Sequence, residues 1–133
     1  MTRAVFLASM LVLTACSRIT TSPHAVFEHA FGSAAPRGVD VVNGHLWENR
    51  HLLVFYEETW KLELSGPTAM DFVRARWPDL APTRAGYVDN RDAPWFASEH
   101  PDNYEAWTSK QDYAVTVMQS KETRHVFVAY TAL

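Results

Sequence analysis

Histidine and acidic side chains are the residues of this chain whose chemistry could serve catalysis or metal binding. The six histidines stand at positions 24, 29, 45, 51, 100 and 125. His24 and His29 are five residues apart and so lie off one helical face, and His45 and His51 would meet only in a favourable hairpin register. Since none of these spacings is that of a metal-ligand pair, the sequence predicts no metal and no cofactor.

One group of polar residues is a candidate for acid–base chemistry. Glu58 interrupts the apolar side of a strand pattern, which indicates a β-bulge, a strand break or a carboxylate that faces a cleft. Glu99, His100 and Asp102 lie in a long loop, and they would join Glu58 if that loop crossed the sheet. A solvated acidic loop is the simpler interpretation. We therefore keep Glu58, His100 and Asp102 as an alternative polar site, and the non-catalytic interpretation is the preferred one.

Sequence motifs of the common enzyme classes are missing. The chain has no glycine-rich phosphate loop, no His-Glu-x-x-His, no Gly-x-Ser-x-Gly and no cysteine pair for zinc. Asp89-Asn90-Arg91-Asp92 lacks the glycine of an EF-hand calcium loop and has Arg91 at a ligand position. The sequence therefore favours a protein that is not an enzyme.

The N-terminal sixteen residues have the three parts of an export signal. Arg3 is followed by an apolar core from Ala4 to Leu13 and by small residues. This core is too short to cross a bilayer, because a spanning helix needs about 20 apolar residues. Leu13-Thr14-Ala15-Cys16 resembles the lipobox of bacterial lipoproteins, in which a branched apolar residue and two small ones precede a cysteine. Cys16 is the only cysteine of the chain.

The resemblance implies cleavage before Cys16 and lipid attachment to it. We therefore expect a signal peptide over residues 1–15, a lipidated cysteine with a polar tether over 16–22, and a single domain over 23–133. Several acyl chains hold firmly to a membrane, because each buried methylene contributes about 0.8 kcal/mol. In this family an aspartate after the cysteine marks retention in the inner membrane. Ser17 therefore favours the outer membrane, with the domain facing the periplasm or the cell surface.

Composition limits the partners of the domain. The chain has 133 residues, of which 47% are hydrophobic and 13% aromatic, and a formal net charge of −3. Such a length suits one domain once the signal is removed. There is no basic stripe of the kind that neutralises phosphates, so nucleic acid is not an expected partner. A tether of six residues would hold the domain within roughly 20 Å of the membrane.

The first half of the domain predicts a short helix and two or three strands. Ser22 and Pro23 are typical of a helix start, and Gly32 of a helix end. The valine-rich stretch from 39 to 47 predicts either a hairpin turning at Asn43-Gly44 or one longer strand turning at residues 48–50. Alternation from 52 to 64 is the clearest in the chain and predicts the central strand.

The second half predicts a helix, a long loop and a final hairpin. The helix begins near Thr68 and ends at Pro78, with an apolar stripe at Met70, Val73 and Trp77. An irregular segment follows over 79–103, and strands over 113–118 and 126–130 close the chain. We therefore expect an α+β fold. Its antiparallel sheet has about four strands in the order β-β-α-long loop-β-β, with one main helix on one face and a possible short N-terminal helix.

The long loop carries the candidate partner-binding residues. Tryptophan and tyrosine dominate binding hot spots, and the loop and its end hold five aromatic residues: Tyr87, Trp95, Phe96, Tyr104 and Trp107. If these rings fold back, they cover the open side of the core instead.

The mature domain is similar to small lipoproteins of the bacterial envelope that have no assigned activity. The similarity rests on the strand, strand, helix, strand, strand order and on the Pro-Trp segment before the last hairpin. We expect a membrane-anchored lipoprotein whose non-catalytic domain binds an envelope protein, as an assembly accessory or as an immunity factor against a toxin. The alternative is a small hydrolase or ligand-binding carrier with a cleft under the loop over 79–107.

Overall fold

The computed structural model of the protein describes residues 16–50, 56–97, 100–111 and 114–132. The predicted signal peptide lies outside the described residues, and so do His51, Glu99 and the start of the strand predicted from residue 52.

The described residues form one antiparallel sheet of seven strands with two α-helices. The elements in chain order are β1 (Cys16–Thr20), α1 (Pro23–Phe31), β2 (Asp40–Arg50), β3 (Tyr56–Ser65), α2 (Ala69–Arg76), β4 (Leu80–Thr83), a 3-10 turn (Pro101–Asn103), β5 (Tyr104–Ser109), β6 (Val115–Ser120) and β7 (Val126–Ala132). The order across the sheet is β1-β2-β3-β7-β6-β5-β4.

The predicted sheet of about four strands with one main helix is therefore wrong. The additional strands are β1, β4 and β5. β1 and β4 lie at the two edges of the sheet. Backbone hydrogen bonds to the neighbouring strand hold an edge strand in place, so its sequence need not alternate between apolar and polar residues. β4 also contains Pro82, which is tolerated because an edge strand needs fewer ladder hydrogen bonds.

Both helices pack on one face of the sheet and form the larger core. Val26 and Phe27 of α1 and Val73 of α2 are buried together with Leu62 and other apolar residues of the inner strands. The two helices also contact each other, since the rings of Phe27 and Phe72 lie 5.5 Å apart. The predicted bounds of α1 are confirmed: it starts at Pro23, and Gly32 ends it in the left-handed conformation at φ 74°.

The long loop covers part of the opposite face. Ala93 and Phe96 are fully buried against Ala106, Met118 and Phe127. The ring of Phe96 meets that of Phe127 edge to face, with 5.6 Å between the centroids. The molecule thus has a layer of helices, a sheet and a layer of loop.

Gly44 lies within β2 and not in a hairpin turn. A β-bulge lies between Val41 and Asn43, and the strand then continues in register with β3. A Cβ at Gly44 would stand 3.0 Å from both Pro23 Cα and Val26 Cβ of α1. The glycine therefore lets the helix approach the sheet closely. Of the two predicted alternatives, the single longer strand forms. The strand extends further than predicted, because Glu48 and Asn49, which we expected in the turn, still belong to it. The residues that connect it to β3, 51–55, lie outside the described part.

Residues 16–20, within the segment that we expected to be a lipidated cysteine and polar tether, form the edge strand β1. It pairs with β2 from Cys16 opposite Arg50 to Thr20 opposite Leu46. An edge strand can be polar because only one of its sides pairs. In the described residues no helix is long and apolar enough to cross a membrane.

Candidate functional site

A row of charged residues crosses three strands on the helix face of the sheet. Arg18 on β1 lies opposite Glu48 on β2, and Glu48 lies opposite Glu58 on β3. Residues directly opposite each other share a face, and so do residues two apart on one strand. This face is the apolar one, because Leu46 and Trp60 form the next pair on it.

His29 brings a third potential metal ligand to the two glutamates. It lies in the last turn of α1, with its Nε2 3.2 Å from Oε1 of Glu58. The potential ligand atoms of His29, Glu48 and Glu58 all lie within 4.8 Å of one another. The Glu48 side chain is only 2% exposed, and the side chains of Glu58 and His29 are 12% and 28% exposed.

Tyr56 joins this cluster from β3. Its hydroxyl donates to a carboxylate oxygen of Glu58 and lies 3.2 Å from Oε1 of Glu48. Desolvation and then the hydrogen bond to Glu58 raise the pKa of Tyr56 above its usual range. A hydroxyl has one proton, so it donates to only one of the two carboxylates at a time. The single proton of Tyr56 is therefore shared between the carboxylates of Glu48 and Glu58.

Arg18 forms an ion pair with Glu48. Its Nη1 lies 3.8 Å from Oε2 of Glu48, and the side chain is 67% exposed. An ion pair with such an exposed partner is screened by water and contributes little. The Arg18–Glu48 pair is therefore a weak one.

The residues predicted as an alternative polar site do not come together. Glu58 lies on β3, whereas His100 and Asp102 lie at the turn before β5. β7 and β6 separate these two strands in the sheet, which corresponds to about 14 Å at the usual strand spacing. The backbone carbonyl of Asp102 accepts a hydrogen bond from Lys121 at 2.7 Å. The long loop does not carry these groups across to Glu58.

His29, Glu48 and Tyr56 were missed in the sequence. Glu48 follows Leu46 by two positions and Glu58 precedes Trp60 by two, so each glutamate stands where the strand pattern calls for an apolar residue. That signal identifies both carboxylates once the register between β2 and β3 is known. Nothing local in the sequence points to His29, because its position depends on how α1 packs.

A second polar cluster holds the long loop to the sheet. Lys61 of β3 donates from Nζ to the carbonyl of Asp89 at 2.6 Å and forms an ion pair with Asp92. Nδ1 of His45 lies 3.3 Å from Oδ2 of Asp92. The Lys61 side chain is 6% exposed. Since a buried ammonium group requires compensation, these contacts fix the loop over the sheet.

A third buried carboxylate, Glu63, is fully paired. One oxygen accepts a hydrogen bond from Asn43 Nδ2 at 2.7 Å, and the other lies 2.7 Å from Nδ1 of His125. Both oxygens are therefore engaged, which gives this group a structural role in joining β2 and β3 to the residue before β7.

The aromatic residues predicted to bind a partner fall into two groups. Phe96 and Trp107 are buried and Trp95 and Tyr104 half-buried, whereas Tyr87 is 84% exposed. Next to Tyr87 runs a groove of about 460 Å³, whose lining includes Pro82, Arg84, Tyr104, Trp107 and Lys121. Tyr104 also borders a small pocket that includes Tyr87, so the exposed ring and the groove form one surface.

Comparison with known proteins gives no relative for this chain. No protein-family model, no curated protein and no solved structure matches it.

Proposed function

We propose that this chain is a lipid-anchored lipoprotein of the bacterial envelope whose domain binds a protein partner. The anchor rests on the resemblance of Leu13-Thr14-Ala15-Cys16 to a lipobox. Outer-membrane attachment through acyl chains on Cys16, with a non-catalytic assembly or toxin-immunity role, is part of the same proposal. In the described residues β1 starts at Cys16 itself, so an acylated Cys16 would hold the sheet directly at the membrane surface.

The observation that carries partner binding is the exposure of Tyr87 beside the groove. A tyrosine that is 84% exposed leaves nearly its whole ring in water, although tyrosine is a residue type that anchors interfaces. The adjoining groove combines the apolar walls of Tyr104 and Trp107 with the charged residues Arg84, Glu105 and Lys121. Apolar walls with a charged rim are the usual composition of a protein-binding site.

Photo-crosslinking in intact cells tests the surface. A photoreactive phenylalanine analogue replaces Tyr87 in one strain and the exposed Glu122 of the β6–β7 turn in a control strain. We expect a discrete crosslinked adduct from position 87. An excess of unlabelled wild-type protein should reduce this adduct, whereas an excess of Tyr87→Ala protein should not. The same adducts from position 122, or equal competition by both proteins, would contradict the proposal. Tyr87 is a sharper target than Phe96, whose removal would open the core.

Cell fractionation tests the anchor. Cys16→Ala should move the protein from the membrane fraction to the soluble or unprocessed pool and abolish incorporation of labelled palmitate. A fully cleaved Cys16→Ala protein that stayed with the membrane would show that another feature holds it there.

The alternative of a small hydrolase or ligand-binding carrier under the long loop has no geometric support. It required Glu58, His100 and Asp102 in one cleft, and two strands lie between them.

A further inference from the structure

We propose that His29, Glu48 and Glu58 bind a divalent first-row metal ion, for which zinc is the best fit. The site lies on the helix face at β1, β2 and β3, away from the groove at β4 and β5. It therefore goes beyond the binding of a protein partner and stands on separate observations.

The distances suit a metal of this size. Zinc binds histidine nitrogen and carboxylate oxygen at 2.0–2.2 Å, so two ligand atoms of a tetrahedral site stand about 3.4 Å apart. Nε2 of His29 and Oε1 of Glu58 are 3.2 Å apart. The Glu48 carboxylate completes a set whose atoms lie within 4.8 Å of one another. Side-chain rotations of the glutamates would bring all three to bonding distance.

The charge of the site favours a cation. Glu48 and Glu58 lie directly opposite each other on the neighbouring strands β2 and β3, and like charges in that position repel. Glu48 is 2% exposed, and the partners of its carboxylate include the largely exposed Arg18 and the Tyr56 hydroxyl. A divalent ion would cancel both carboxylate charges with His29 neutral, which is the form of histidine that binds metal.

The ligand types select among metals. Magnesium and calcium prefer sites made only of oxygen, and copper(I) prefers sulfur. One imidazole and two carboxylates suit zinc or manganese. Three protein ligands leave a fourth zinc position, which water fills in sites of this kind. The Tyr56 hydroxyl contacts both carboxylate ligands.

The elements that supply the ligands show what the metal would do. His29 ends α1, and the glutamates belong to β2 and β3, so one ion would tie the helix to the hairpin beneath it. Arg18, in the same row, is two residues from Cys16, which is about 7 Å along a strand. The metal would therefore stabilise the part of the domain next to the lipidation site.

The same geometry has a metal-free explanation that an experiment can separate. A protonated His29 could pair with Glu58 while Arg18 pairs with Glu48, and the cluster would then be an ion-pair network. A network requires the charge of Glu48, so Glu48→Gln would destabilise the metal-free protein. A metal site predicts no such loss, because removing one carboxylate relieves repulsion.

Zinc titration of the full chain, purified in detergent and stripped with EDTA, tests the proposal. By calorimetry we expect one zinc per chain, and by thermal unfolding a midpoint that rises with free zinc, because a ligand that binds only the folded state stabilises it. Glu48→Gln and His29→Ala should weaken zinc binding by more than about 100-fold, since outer-shell partners alone contribute 10–100-fold. Far-ultraviolet circular dichroism of each variant checks that it is folded.

His24→Ala is the matched control, because His24 is an exposed histidine on the same helix. It should bind zinc as wild type does. Equal zinc binding by Glu48→Gln and wild type, no binding by wild type, or a zinc-free Glu48→Gln protein that is less stable than wild type would each overturn the proposal.

Discussion

Glu48 and Glu58 lie directly opposite each other on β2 and β3, on the face of the sheet that carries the larger apolar core. Opposite carboxylates on one face are destabilising, by about 0.2–1 kcal/mol relative to a neutral pair. The fold nevertheless places His29 and Tyr56 against them. The folded state therefore loses some stability at this pair of carboxylates. Functional sites of proteins often carry such a local cost.

This relationship predicts a reversal of stability between two conditions. In EDTA, Glu48→Gln should be as stable as wild type or more stable, by up to about 1 kcal/mol, because one of two repelling charges is gone. With excess zinc it should be the less stable protein, since it no longer binds the ion tightly. Urea unfolding in both conditions measures this. Glu57→Gln, one residue from Glu58 and on the other face of β3, should show no reversal.

Phe96 should contribute strongly to stability although it lies in a loop. It is fully buried against Ala106, Met118 and Phe127, and truncating a buried phenylalanine costs about 3–5 kcal/mol. Chemical denaturation of Phe96→Ala should show a loss of this size. Tyr87→Ala, at an 84% exposed ring of the same loop, should change stability by less than about 0.5 kcal/mol. Equal losses in both variants would mean that the loop does not cover the sheet.

Asp92 should control opening of the same loop. Its carboxylate pairs with the buried Lys61 and is itself 37% exposed. Removing one partner of a buried pair costs about 3–5 kcal/mol, and the partial exposure of Asp92 reduces the expected loss for Asp92→Asn to about 1–3 kcal/mol. Hydrogen exchange should rise across residues 84–97. Asp102→Asn is the control, because Asp102 is an exposed aspartate outside this loop segment and contacts Lys121 through its backbone carbonyl.

The helices were predictable because their end signals are local. Pro23, Gly32 and Pro78 act on the backbone within one turn, and α1 and α2 begin and end beside them. The final hairpin was predictable for a similar reason. Its signals, which are alternating apolar and polar residues and a polar turn, lie within about twenty consecutive residues. Here the predicted and observed elements agree to within a few residues.

The remaining features depend on contacts between distant segments. Asn43-Gly44 has the composition of a turn, but α1 packs against Gly44 and keeps the pair within a strand. The edge strands β1 and β4 are fixed by pairing with β2 and β5. The candidate metal site combines residues 29, 48 and 58, so no spacing along the chain reveals it. Phe96 could be predicted as an important aromatic residue, but its burial depends on where the loop folds.

Asp79 should give stability a dependence on acid pH. Its Oδ2 accepts hydrogen bonds from the Gln111 backbone N–H at 2.9 Å and the Ser109 hydroxyl at 2.8 Å. These bonds, with that from Gln111 first, lower the pKa of Asp79 from 3.8. The stabilisation is therefore complete above pH 3.8 and is lost as the pH falls through the lower folded-state pKa. Melting temperatures from pH 2 to 7 should fall less steeply below pH 4 in Asp79→Asn, with Ser109→Ala intermediate. Identical slopes in all three proteins would contradict this assignment.

Gly44 should be the glycine that tolerates alanine least among the positions without a left-handed backbone. A methyl group there would stand 3.0 Å from Pro23 Cα and Val26 Cβ, which is closer than side-chain carbons normally approach. One of the two contacts is backbone, so α1 must shift away from the sheet. Overpacking of this kind costs about 1–3 kcal/mol. Gly86→Ala is the matched control, because a Cβ there meets nothing within 4 Å. Urea unfolding should show the loss for Gly44→Ala alone, and zinc affinity should fall with it, since a displaced α1 carries His29 away from Glu58.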